Sequence, residues 1–176
     1  MQSLKKIECN SLDKLYIDSI YSRLTEKENR IRRFLMSYII DTKRPFNINL
    51  LEMENLKVLN LSKEELKKSL KNMQKKIALS MDEEGNVNFV YPVSAIKTKH
   101  KVSLEDGRAF CAMCAVDSIG SSFTFKQEVI IESNCTECND KVLVKVKDGK
   151  IKDFLPKGLQ ILHVDLSKYK NWADSC

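Results

Sequence analysis

Hydrophobic positions in the first part of the chain recur at helical spacing. Leu12, Leu15, Tyr16, Ile20 and Leu24 mark one stripe, and Ile31, Phe34, Leu35, Tyr38 and Ile39 mark another. Thr25 and Glu28 lie between them in the order of a capping box, so the pattern predicts two helices end to end. Arg44-Pro45 breaks the periodicity. A short apolar helix is expected from about Ile48 to Leu59, and Ser62 with Glu65 opens a further helix through Leu66, Leu70, Met73 and Ile77. Ile77 to Met81 and Val87 to Tyr91 then flank the turn-rich Asp82-Glu83-Glu84-Gly85-Asn86, which predicts a hairpin. Helix, turn, helix, hairpin is the order of a winged helix.

From Lys99 onward the period shortens to that of strands. Lys101 to Leu104, Arg108 to Phe110, Glu128 to Glu132, Lys141 to Lys147, Ile151 to Phe154 and Leu159 to Val164 are short β-like runs. Asp106-Gly107 and Asp148-Gly149 supply hairpin turns. Cys114 to Ile119 is the one stretch with helical character, and Gly120 is placed to end it. The expectation is an α+β fold. It comprises a helical, winged-helix-like domain over residues 1–95 and a small mixed β-sheet domain over 96–176, with a short helix at its site.

Composition narrows the class. The 176 residues are 43% hydrophobic and 31% charged with three prolines, as in ordinary globular chains. No apolar run is long enough to span a bilayer, and the opening Met-Gln-Ser-Leu-Lys-Lys lacks the apolar stretch of an export signal, so a cytoplasmic location without membrane association is expected. The net charge of +6 is spread over several helices. Lys63, Lys67, Lys68, Lys71, Lys75 and Lys76 could lie along DNA. No Arg in that helix stands ready to read guanine, and a solvated basic face is the favoured reading.

Six cysteines in such a chain are read as thiols. Cys111-Ala112-Met113-Cys114 and Cys135-Thr136-Glu137-Cys138 have the spacing of a Cys₄ zinc site. Where a zinc knuckle favours Gly after its second Cys, this chain has Ala115 and Asn139. A second reading rests on Cys114-Ala115-Val116-Asp117, which brings a thiol and a carboxylate to one side of a helical turn. A thiolate binds a soft metal, and a neighbouring acid can protonate a carbon leaving it.

Asp106-Gly107-Arg108, Phe110 and Cys114-Ala115-Val116-Asp117 resemble the active-site segment of organomercurial (alkylmercury) lyases. Val129 to Cys135 and Lys141 to Lys147 resemble the strands that follow in that family. Lys43-Arg44-Pro45, the Leu61 to Met73 helix and Asp82 to Asn86 are similar to its helical first domain. The resemblance implies cleavage of a carbon–mercury bond by protonolysis, with no separate cofactor. Cys114 would take the organomercury cation, Asp117 would protonate the carbon and help hold the metal, and Cys176 would be the second thiol. The substrate would be a small organometallic compound, and cellular thiols would accept the mercuric ion.

The alternative is a DNA-binding metal sensor or regulator in which Cys111, Cys114, Cys135 and Cys138 hold zinc or a thiophilic metal. Cys9 reads as an incidental thiol, His100 and His163 as packed or surface residues, and Phe123, Phe125, Phe154 and Trp172 as core or pocket wall.

Overall fold

Two capping boxes set the N-terminal helices. In the first, the Thr25 hydroxyl accepts the Glu28 N–H at 3.2 Å while the Glu28 carboxylate accepts the Thr25 N–H at 2.8 Å. Ser62 and Glu65 repeat the exchange at 3.1 and 2.9 Å. Each satisfies two helix-end donors that would otherwise lack partners. The computed structural model describes residues 20–50 and 53–161. Cys9, His163, Trp172 and Cys176 lie outside them.

After the single turn α1 (Ile20–Arg23), α2 (Glu26–Thr42) follows the first box and ends where Lys43 turns left-handed at φ 56°, ahead of Pro45. Next come β1 (Phe46–Asn47), α3 (Met53–Leu59) and α4 (Lys63–Lys75). The helix expected from Ile48 thus has its described start at Met53. Leu66, Leu70 and Met73 of α4 are fully buried, each worth about 1.5–3 kcal/mol of burial. Lys67, Lys68, Lys71 and Lys75 are exposed, as a solvated face would be.

The hairpin β2 (Leu79–Met81) and β3 (Asn86–Val90) turns through Asp82, whose carboxylate accepts the Asn86 N–H at 2.8 Å. Gly85, at φ 86°, takes a turn conformation that a β-carbon would strain, and it packs against Ile48 and Asn49. Beyond it lie β4 (Val93–Ser94), β5 (His100–Leu104), β6 (Ala109–Ala112), α5 (Ala115–Phe125), β7 (Val129–Asn134), β8 (Lys141–Lys147) and β9 (Lys150–Leu155).

These strands join in one antiparallel sheet of order β1-β3-β4-β6-β5-β7-β8-β9, with β2 on β3. The two-residue β4 carries the sheet across. Val93 pairs with Val90 on one side and with Ala112 on the other. The buried apolar cluster is likewise continuous, from Ile31, Leu35 and Ile39 through Val90 and Val93 to Val102, Val129 and Val146.

Two expectations are corrected. The site helix does not stop at Gly120 but runs on to Phe125, with Lys126 taking the left-handed cap at φ 54°. Residues 159–161 of the strand expected from Leu159 to Val164 are not in a strand, and the rest lies outside the described residues. No described helix is long and apolar enough to cross a membrane.

Candidate active site

Helix α5 lies against β5, β6, β7 and β8, and the face it presents to them is small and polar. Asp117, Ser118, Ser121 and Ser122 are its buried residues. The serines satisfy themselves locally. Ser118 Oγ donates to the Cys114 carbonyl at 2.9 Å, Ser121 Oγ to the Asp117 carbonyl at 3.0 Å, and Ser122 Oγ to the Gln127 carbonyl at 3.0 Å. Buried hydroxyls that find such partners carry little penalty, so the helix settles close to the sheet without large side chains.

Cys114 is the N-cap of α5, with extended backbone at φ −139° and ψ 176°. Asp117 is the third helical residue after it. Its carboxyl accepts hydrogen bonds from both the backbone N–H and the thiol of Cys114. This is one half of a capping box, with a thiol standing where serine or threonine usually stands. The cap, rather than adjacency within a helical turn, is what brings the two groups together.

Asp117 is 8% exposed. Burial pushes its carboxyl up to about 6, against the hydrogen bonds from Cys114 that favour the charged form. It therefore exchanges its proton nearer neutral pH than an ordinary aspartate does, in the range suited to acid–base work.

Tyr91 stands behind this pair. Burial, and then the neighbouring negative charge of Asp117, push its phenol up to about 12. Its hydroxyl presses on the backbone of Gly120, where a β-carbon would collide with it. Arg32 of α2 reaches in from the other half of the chain. Its Nε donates to the Tyr91 carbonyl at 2.9 Å, a terminal nitrogen donates to Thr124 Oγ1 at 3.3 Å, and the guanidinium lies 5.7 Å from the Tyr91 ring centre. Burial lowers this guanidinium to about 10. Neither Arg32 nor Tyr91 was legible as a site neighbour in the sequence, because no short spacing links them to Cys114.

The Asp106-Gly107-Arg108 turn closes on itself. Arg108 pairs with Asp106 at 2.7 Å and lies 5.6 Å from the Phe125 ring centre, while Gln127 donates to Asp106 at 2.8 Å. This anchors the C-terminal end of α5 to the turn that leads into the site strand. Phe125 in turn packs on Phe110, ring centres 5.3 Å apart.

The four cysteines of the zinc reading do not converge. Cys111 faces away from α5, because β6 alternates and buries Phe110 and Ala112 on the helix side. Cys135 and Cys138 sit in the turn after β7. Among the described residues, no three His, Cys, Asp or Glu side chains are grouped to hold a metal ion. His100 is half-buried and its Nδ1 meets Ser133 Oγ at 2.8 Å, a packed role. Phe123 is exposed and packs on Gly149.

An antiparallel sheet backed by one helix whose N-terminus presents a thiol against a buried carboxyl defines an α+β protein with a thiol–acid site. Residues 93–176, which carry β4 to β9, α5 and that site, match the alkylmercury lyase (MerB) family. Among solved structures, the mercury-bound form of MerB2 resembles this chain with a TM-score of 0.59 at 17% identity, over 78% of this chain and 64% of that one. The chain thus spans less than two thirds of that protein's length, and at this identity the likeness is one of fold. No curated protein matches the sequence.

Proposed function

We propose that this chain is an organomercurial lyase-like enzyme that cleaves carbon–mercury bonds by protonolysis. Cys114 takes the organomercury cation on sulfur, and the thiol proton has the Asp117 carboxyl within hydrogen-bond reach. Asp117 delivers a proton to the carbon bound to mercury. That bond's electron pair goes to the new C–H bond, a hydrocarbon leaves, and the mercuric ion stays on sulfur. Cys176 is the second thiol in this reading, and cellular thiols exchange onto the ion to release it. The winged-helix-like order of α2, α3, α4, β2 and β3 makes the N-terminal part the support from which Arg32 and Tyr91 reach the site.

The observation that carries the reading is the hydrogen-bonded pair of a half-buried Cys114 and a buried Asp117 whose carboxyl is pushed up to about 6, inside the segment that matches the family. Release of hydrocarbon from a simple alkylmercury salt tests it. Cys114→Ser and Asp117→Ala are each expected to lower release by about a hundredfold or more, with the circular dichroism spectrum retained. Undiminished release from either folded variant would reject the assignment.

A further inference from the structure

The turn between β7 and β8 holds two thiols that the proposed reaction does not use. Cys135 N–H donates to the Asp140 carbonyl at 2.9 Å and Asn139 N–H to the Cys135 carbonyl at 3.0 Å. Asn134 Nδ2 donates to the Asn139 carbonyl at 3.0 Å. Asn139 adopts φ 61°, the left-handed conformation that glycine supplies in metal knuckles and that asparagine tolerates. The residue that looked unfavourable in the sequence therefore does the work of the missing glycine.

The resulting loop aims backbone donors at sulfur. The N–H groups of Cys138 and Glu137 and the Cys138 thiol lie beside the Cys135 sulfur. The Cys138 sulfur in turn lies beside the Asp140 N–H and carboxylate. Both thiols are free, Cys135 half-buried and Cys138 exposed. Two thiols held on one hydrogen-bonded turn, with backbone N–H groups beside them and an open side, form a preorganised pair of soft donors.

We propose that Cys135 and Cys138 form a bis-thiolate site for a soft thiophilic cation, separate from Cys114. Binding forms two sulfur–metal bonds and releases the two thiol protons to water, with no change of oxidation state. The site does not rest on the lyase reading, since neither Cys114 nor Asp117 takes part. The two thiol sites nevertheless leave the same end of the sheet. Cys111 and Glu132 both pair with Lys101 on β5, and Cys114 and Cys135 each follow three residues later.

Inorganic mercuric ion is the probe, titrated into the reduced full chain against an excess of a monothiol. Wild type is expected to retain one more ion per chain than the Cys135→Ser/Cys138→Ser variant. A chain in which Cys9, Cys111, Cys114 and Cys176 are all serine should still hold one ion, with two sulfur ligands by X-ray absorption. Replacing either remaining cysteine should weaken that binding about a hundredfold, the loss expected when a chelate becomes a single donor. Equal stoichiometry in wild type and the double variant would overturn the site, and so would a four-sulfur shell that recruits Cys111 and Cys114. None of these readouts involves hydrocarbon release, so failure of the lyase assignment would be seen separately.

Discussion

The Tyr91 hydroxyl occupies the space beside Gly120 in which a β-carbon would have to sit. A glycine in mid-helix costs about 1 kcal/mol relative to alanine, so its presence in α5 calls for a compensating contact, and this is it. Gly120→Ala should therefore destabilise the protein by about 1–2 kcal/mol despite the better helix former, because the phenol must move. In a Tyr91→Phe background the same substitution should cost markedly less. Urea unfolding of the four-member cycle checks this, and additive effects would show that the contact has no energetic content.

Asp117 ties stability to pH in a defined direction. Its carboxyl rises from 3.8 to about 6 on burial, so the folded chain binds the proton more tightly than the unfolded chain. The resulting stabilisation is fully present below the lower value and is lost as pH rises through the higher one. Asp117→Asn removes this titration while leaving an acceptor for the Cys114 N–H. The variant should gain on wild type by about 2–3 kcal/mol between acid and neutral pH, read from denaturation midpoints at the two conditions. A difference independent of pH would contradict the burial argument.

Arg32 links α2 to the far side of the site through the Tyr91 carbonyl and Thr124. Arg32→Met leaves that part-buried carbonyl without its donor and should cost about 1–3 kcal/mol. Arg32→Lys cannot reproduce the two-nitrogen span and should recover only part of the loss. Thermal or chemical unfolding of the two variants is the measurement.

Cys111 separates the two readings of the first Cys-x-x-Cys. Because strand alternation turns it from α5, Cys111→Ser should leave hydrocarbon release within about twofold of wild type, an effect of ~0.5 kcal/mol or less. A loss comparable to that of Cys114→Ser would mean that the two thiols act together.

What the sequence made legible was local. Both capping boxes, the Asp106-Gly107 and Asp148-Gly149 turns and the Cys114–Asp117 pairing depend on residues a few positions apart, and each forms between the residues that signal it. The two-residue strands β1 and β4 are too short for any period to register, yet β4 joins the sheet. Gly120 reads as a helix stop by propensity, and tertiary contact with Tyr91 outweighs that preference. The spacing of Cys111 to Cys114 matches a knuckle, but a strand carries the first thiol and a helix cap the second, so the spacing does not translate into proximity of donors. Cys135 to Cys138 has the same spacing on a turn, where it does.

The join at Val93 and Ser94 has a practical corollary for anyone trimming the chain. A fragment beginning at residue 96 would present β6 as a raw edge with unsatisfied amides, open to pairing with another copy. It would also lose Tyr91 and Arg32 from behind Cys114 and Asp117. Residues 96–161 therefore depend on what precedes them for a covered sheet edge and for the wall behind Cys114 and Asp117.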